Sequence, residues 1–368
     1  MRVGLFVDGS FLPSREGATQ RICLLARHLP RVGIETAVFH CYRGWSDIEL
    51  IRRENFTTYL LPPEIYYGNS EFVSNIVLHD RIDLLQMCDP PLILSQGIKI
   101  KQETKVPLVW EVHEVVSALA EELEDRNEDI EFLRLLEHYS CLVCDYLVCF
   151  TEEDRQQLCK RGVALNKVYV FPCGIVPYEK KFWGPNLDSR VVLFLGNMFY
   201  EPNYRGVLSI VNDIYPMLSE RKRGAVTFKM VGTCPEELRR QFANSELVLT
   251  GPVKDLDQIF SEAAIGIAPI KACSGMRIKI LDYMAAGLPV IASTFPLWKE
   301  IVIGNKCGVC VNPLEPKEIA KAIEYLIVHP DEAEKMGANG RKAVLEKYSW
   351  ENEGKKLLEL YKILTRGK

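Results

Sequence analysis

Two doubly wound α/β domains in tandem are the fold class this sequence predicts. Three observations lead there. At 368 residues the chain is longer than one hydrophobic core usually serves. Short apolar or β-branched runs alternate with helical patterns in both halves, as in a parallel sheet covered by helices. The alternation breaks at residues 177–189, where Pro177, Gly184, Pro185 and several charges read as a linker, and then restarts.

In the first half the expected strands are 3–7, 36–40, 56–60, 84–86, 106–111, 146–150 and 168–171. Helical patterns occupy 19–29, 74–79, 131–144 and 152–161. Thr151 is placed to cap the last of these, with Glu152, Glu153 and Asp154 in its first turn, so those carboxylates have a structural role and are assigned no chemistry. After the linker, strands are expected at 191–196, 226–231, 247–249, 265–269, 290–292 and 309–311. Helices are expected at 207–218, 235–242, 257–264, 316–327, 331–347 and 350–364. In a sheet of this kind, ligands bind beyond the carboxyl ends of the strands.

Composition narrows the function. A net charge of −4 does not describe a nucleic-acid surface. No run of about 18 apolar residues occurs, so no spanning helix is expected. The start, Met1 to Asp8, turns acidic too soon for a signal peptide and reads as a first buried strand, which points to a cytoplasmic protein. Twelve cysteines include two Cys-x-x-Cys pairs, Cys141/Cys144 and Cys307/Cys310, and His138 lies three residues before the first. The pairs fall in different domains, and buried free thiols acting as small apolar groups are the expected reading. Neither half carries Gly-x-Gly-x-x-Gly after its first strand, which argues against a dinucleotide oxidoreductase.

The most informative segment runs from Ser274 to Ser293. Ser274, Gly275, Met276 and Arg277 form a small-residue loop. Ile280, Leu281 and Met284 share one face of the helix that follows. Gly287 is placed to end it in a left-handed conformation, Pro289 prevents its resumption, and a short apolar strand comes next. A helix N-terminus emerging from a glycine loop, with Arg277 and Lys279 beside it, suits a diphosphate.

This segment resembles the donor-binding stretch of the family-four glycosyltransferases, retaining enzymes of the GT-B fold. Ser274 stands where that family's first glutamate is usual and Asp282 where the second is. The resemblance implies that Asp282 accepts hydrogen bonds from the donor ribose. It also implies that Lys279, with the loop amides around Gly275 and Met276, meets the diphosphate. It extends along nearly the whole chain. Gly17 and Ala18 occupy the acceptor-side loop after the first strand. Val109 to Glu114 carries a His-Glu whose His113 would meet a sugar hydroxyl. Phe171-Pro172-Cys173-Gly174 matches a Pro-Asn-Gly turn, with Cys173 replacing the asparagine. Phe194 to Asn203 contains Gly196 and Asn197 at a strand end, with Asn203 read as a helix cap and Arg205 as either a phosphate contact or a solvated residue. Gly232 and Thr233, and the loop at Thr250 to Val253, correspond to loops that hold the donor base.

The resemblance thus implies an acceptor-side Rossmann-like domain at 1–180, a nucleotide-sugar-binding one at 181–350 facing it across a cleft, and a helix at 351–368 crossing back to the first. The implied reaction moves a sugar, with retention, from a nucleotide-diphosphate donor to a glycan, lipid-linked or small-molecule acceptor, with His113 and Lys279 as the catalytic pair. A peripheral contact with the inner face of the membrane is compatible with such acceptors. No cofactor beyond the nucleotide sugar and no metal is expected, because fixed cations and a helix N-terminus stabilise the leaving diphosphate. No Asp-x-Asp ligand cluster is read in the sequence, in keeping with that expectation. Two readings stay open beside this one: a sugar-nucleotide epimerase, and a non-catalytic relative that keeps the fold for binding or assembly, to which Ser274, Asp282 and Cys173 lend weight.

Overall fold

The computed structural model describes all residues except 9–16, 45–46, 54–55, 125–128, 177–180, 221–223, 243–246, 254, 273–277 and 366–368, and the side chains of 17–20. The chain forms two compact units. One comprises Met1–Cys173 with Trp350–Lys368, the other Gly174–Cys273 with Arg277–Ser349. The last helix, Trp350–Thr365, groups with the first unit.

The first unit holds strands β1 (Arg2–Asp8), β2 (Glu35–Cys41), β3 (Glu49–Arg52), β4 (Phe56–Leu61), β5 (Leu84–Met87), β6 (Leu108–Val112), β7 (Tyr146–Cys149) and β8 (Val168–Val170). Their order is β3-β4-β2-β1-β5-β6-β7-β8, and every pair is parallel except β3 with β4. β3 was not expected. It is a four-residue edge strand beginning and ending in charge, Glu49-Leu50-Ile51-Arg52, too short and too polar to read as a buried run. The remaining strands are sandwiched between helices and bury Val3, Leu5, Phe39, Leu85, Leu108 and Leu147 completely. Aromatic rings tie three neighbouring strands together, with centroids 4.5 Å apart for Phe6/Phe39 and 5.3 Å for Phe39/Tyr59.

The second unit holds β9 (Val191–Leu195), β10 (Thr227–Val231), β11 (Leu247–Gly251), β12 (Ala263–Ala268), β13 (Val290–Ser293) and β14 (Gly308–Val311), all parallel, in the order β11-β10-β9-β12-β13-β14. That is the 3-2-1-4-5-6 order of a doubly wound sheet, whose strand order reverses at β9/β12. The corresponding reversal in the first unit lies at β1/β5.

Several helices were not expected, and three of them begin with proline: Pro63–Gly68, the run opening at Pro90, and Pro296–Val302. In each the proline sits in the first turn, where its missing N–H is no loss. The run from Pro90 passes through a π-helical turn, Ile93–Gly97, into Ile98–Thr104. Gly97 is pressed there against Met87 and Leu108: a Cβ on it would lie 3.0 Å from the Met87 sulfur. The 207–218 helix expected from sequence instead starts earlier, at Glu201–Ser209, and continues as a π-turn over Ile210–Ile214.

Among the described residues no helix is long and apolar enough to cross a membrane. Cys141, Cys144 and Cys307 are buried free thiols, and Cys310 is partly buried. Among the described residues no group of three or more His, Cys, Asp or Glu could hold a metal ion.

Candidate functional site

In the second unit Gly196, Asn197, Gly232, Thr233 and Lys279 come together at the carboxyl ends of β9 and β10. β9 ends at Leu195 and hands over to Gly196 and Asn197; β10 ends at Val231 and hands over to Gly232 and Thr233. The two loops are bonded to each other. Gly196 N donates to Val231 O at 3.0 Å, Met198 N to Thr233 O at 2.7 Å, and the Thr233 hydroxyl to Asn197 Oδ1 at 2.6 Å. Gly232 has φ +141° and donates its N–H to Gly251 O at 3.1 Å. A Cβ on Gly232 would lie 1.9 Å from the Gly196 carbonyl oxygen. Glycine there is a requirement of backbone contact between adjacent strand ends.

Lys279 reaches this glycine-rich edge. It lies in the first turn of the helix Ile278–Ala286, where every residue from Lys279 onward is buried. Its Nζ donates to Asn203 Oδ1 at 2.7 Å and stands 4.0 Å from the centroid of the Phe194 ring. Asn203 Nδ2 donates in turn to Asn197 O at 2.9 Å. A Cβ on Gly196 would meet Asn203 Nδ2 at 2.8 Å and Lys279 Nζ at 3.1 Å, so the bare Cα of Gly196 lets the ammonium approach the strand end. An ammonium held at the edge of a glycine-lined strand end is a group that can meet an anion. Asp282, three residues on, is buried as well.

Asn203 and Tyr283 are the site residues that sequence reasoning missed. Asn203 is not a cap: Tyr200 occupies the N-cap position and Asn203 lies inside the helix, spending its amide on Lys279 and Asn197. The Tyr283 hydroxyl accepts from Leu195 N at 2.8 Å and donates to Ile267 O at 3.2 Å, spanning β9 and β12 where the strand order reverses. Its ring needs Gly266, where a Cβ would come within 2.4 Å of it. The spacing Asn203…Lys279 holds no local signal, since the contact spans 76 residues.

The expected helix stop is present: Gly287 has φ +82°, with Gly287 N bonded to Met284 O and Leu288 N to Tyr283 O. Ser274, Gly275, Met276 and Arg277 lie outside the described residues. Arg205 pairs with Glu201 at 2.7 Å along its own helix, half exposed. The sequence does contain an Asp-x-Asp triplet, Asp255-Leu256-Asp257, and it works as a helix start: Asp255 Oδ1 accepts from Asp257 N at 2.8 Å at the head of Leu256–Glu262.

In the first unit, His113 follows β6 directly. Its Nε2 is 3.3 Å from Glu111 Oε2, while Arg21 Nε donates to Glu111 Oε1 at 2.8 Å. Arg21 and Glu111 are both buried. The guanidinium carbon lies 5.2, 5.6 and 4.9 Å from the ring centroids of Phe150, Phe171 and Trp350. Burial pushes the Glu111 carboxyl up, but the Arg21 charge and the hydrogen bonds from His113 and Arg21 outweigh it and hold it at about 2. The His113 ring stacks on Phe150 at 5.4 Å. Gly17 and Ala18 open the helix Gly17–His28, and the loop before them lies outside the described residues. Cys173 is buried near Arg21, and burial raises its thiol to about 11, which disfavours the thiolate. Thr151 caps its helix as expected, accepting from Asp154 N at 2.9 Å.

Residues 15–178 match the family model described as Glycosyltransferase Family 4, and residues 189–329 the one described as Glycosyl transferases group 1. An uncharacterized glycosyltransferase of Methanocaldococcus jannaschii is 23% identical over 304 residues, covering 77% of this chain and 76% of its own. A GDP-mannose-dependent phosphatidylinositol monomannoside mannosyltransferase of Mycobacterium tuberculosis is 35% identical over 85 residues, 23% of this chain and 22% of its own. Among solved structures, sucrose-phosphate synthase of Thermosynechococcus elongatus superposes with a TM-score of 0.82 at 17% identity, over the full length of both chains. The Anabaena HepE protein, solved with UDP and glucose, gives 0.74 at 14% identity over 98% of this chain and 99% of its own. These structures share the GT-B fold.

Proposed function

The chain belongs to the family-four, group 1 glycosyltransferases of the GT-B fold, and from that premise we propose that it moves a sugar from a nucleotide-diphosphate donor, held by the second unit, to an acceptor held by the first. The observation that carries this reading is the buried Lys279 ammonium at the glycine-lined ends of β9 and β10. Bond cleavage at the anomeric carbon leaves a diphosphate with growing negative charge. A preorganised ammonium in a site of low polarity stabilises that charge more than it does the ground state. Asp282, on the same helix, would accept from the donor ribose, and His113 would meet a hydroxyl of the transferred sugar. Gly232, Thr233 and the Thr250–Val253 loop would offer main-chain groups to the base, and Gly17 and Ala18 would approach the acceptor. Ser274, Gly275, Met276 and Arg277 would complete the phosphate loop. Transfer proceeds with retention and without a divalent ion in this reading.

The relatives support it. The mycobacterial mannosyltransferase is named for a GDP-mannose donor and the Anabaena protein was solved with UDP and glucose, so a nucleotide sugar is the donor class proposed here. A peripheral membrane contact with a lipid-linked acceptor is the corresponding proposal for the other substrate.

Thermal unfolding against UDP, GDP, ADP and the matching nucleosides tests the reading. A ligand bound only by the folded chain at a hundredfold excess over its Kd adds about 2.7 kcal/mol of stability. At least one diphosphate should raise the midpoint while its nucleoside does not. No response to any diphosphate would overturn the assignment.

A further inference from the structure

The geometry around His113 fixes more than its position. Glu111 is completely buried and its two carboxylate oxygens are divided, Oε1 to Arg21 Nε at 2.8 Å and Oε2 to His113 Nε2 at 3.3 Å. An ionised carboxylate only accepts hydrogen bonds, so Nε2 must be the donor. The His113 side chain keeps 18% of its surface open, and no described residue hydrogen-bonds its Nδ1. The stack on Phe150 holds the plane of the ring, and the Arg21 guanidinium also lies over the Phe150 ring.

We propose that Glu111 is a positioning residue: clamped by Arg21, it locks His113 as the Nε2–H tautomer and leaves Nδ1 as a hydrogen-bond acceptor. This rests on reading His113 as a sugar contact, and it says which sugars fit. An accepting nitrogen selects a group that donates, so the position His113 reads carries a hydroxyl. A carboxylate there, as on a uronic acid, would leave two acceptors facing each other.

Arg21 makes the arrangement directional. In Glu111→Gln the one remaining carbonyl oxygen is the natural partner of the Arg21 N–H, which turns the new NH2 toward His113. Nε2 then has to accept, and the ring proton moves to Nδ1.

Long-range 1H–15N spectra of the full chain distinguish the two neutral tautomers by which ring nitrogen carries the proton. The chain has only 6 histidines, and His113→Asn assigns the signal. The wild-type protein should show a protonated Nε2 and a bare Nδ1, and Glu111→Gln should reverse them. A protonated Nδ1 in the wild type, or a ring averaging between both forms, would overturn the proposal. Should Glu111→Gln not fold, Glu111→Asp keeps the countercharge to Arg21 while withdrawing the carboxylate by one methylene. It should leave His113 averaging between tautomers; an unchanged Nε2–H form would count against Glu111 as its cause. The reading of His113 itself fails separately: full transfer activity in His113→Ala would retire the sugar contact and leave the tautomer finding intact.

Discussion

Lys279 Nζ lies 2.7 Å from Asn203 Oδ1, joining the helix after β12 to the helix after β9 across the point where the strand order reverses. Because the ammonium is already held before any ligand arrives, little ordering remains to be done on binding. A charge-assisted hydrogen bond is worth about 1.5–3 kcal/mol. Lys279→Ala should therefore weaken nucleoside diphosphate binding at least about tenfold, by titration calorimetry. The variant should stay folded by circular dichroism, since Asn203 keeps its bond to Asn197. Unchanged affinity would remove Lys279 from the site.

Asp282→Ala separates two roles for a buried carboxylate on that helix. If it accepts from ribose, the variant should lose affinity for a nucleoside diphosphate and keep its affinity for inorganic diphosphate. An equal loss for both ligands would show that Asp282 acts by placing Lys279, which is three residues away on the same helix.

Gly232→Ala should unfold the second unit far more readily than its small added volume suggests. The new methyl would sit 1.9 Å from the Gly196 carbonyl oxygen, at a φ of +141°. The expected cost is about 2–4 kcal/mol, a fall of roughly 5–15 °C in Tm. Gly33→Ala is the control. Its φ is +86° with nothing within 4 Å of the added atom, so only backbone strain remains, about 1 kcal/mol. Equal losses in the two variants would show that backbone contact at Gly232 is not what the site requires.

How far the sequence could be read follows from how local each signal is. The buried strands announce themselves through runs such as Val3 to Val7, and the stop at Gly287 through Gly-Leu-Pro. Helices opening on Pro63, Pro90 and Pro296 escaped because their α-helical runs, of 6, 3 and 7 residues, are too short to display an apolar period. β3 escaped because an exposed edge strand has no apolar run to display. Within the site, Lys279 and Gly196 were legible from strand-end glycines and a basic helix start. Asn203 and Tyr283 were not, because each takes its role from a partner more than 70 residues distant. Arg21 and Glu111, 90 residues apart, could be joined only by the fold.

Transfer should survive chelation. A fixed ammonium supplies the positive charge that a divalent ion would otherwise bring to the diphosphate. Transfer measured in EDTA should match that measured in magnesium. Activity lost in EDTA and restored by magnesium or manganese would reopen the search for carboxylate ligands, and Asp255 and Asp257 would have to be released from their helix start to serve.

His28 and Glu111 give the first unit two separate acid transitions. His28 is buried against Trp350, ring centroids 6.1 Å apart, and burial together with Arg31 and Arg27 lowers its pKa from 6.5 to about 4. The folded state therefore resists the proton that the unfolded chain accepts. The stabilisation is complete above pH 6.5 and is lost as the pH falls toward about 4, to a total on the order of 3 kcal/mol. Glu111, held at about 2 against an ordinary 4.5, adds stability that is present above pH 4.5 and lost as the pH falls toward 2. Urea unfolding between pH 7 and 5 should thus show a midpoint that declines with acid in the wild type. In His28→Phe, which keeps an aromatic ring against Trp350 and has nothing to protonate, the midpoint should stay level over that range. A wild-type midpoint that does not move between pH 7 and 5 would show that His28 takes up its proton as easily folded as unfolded.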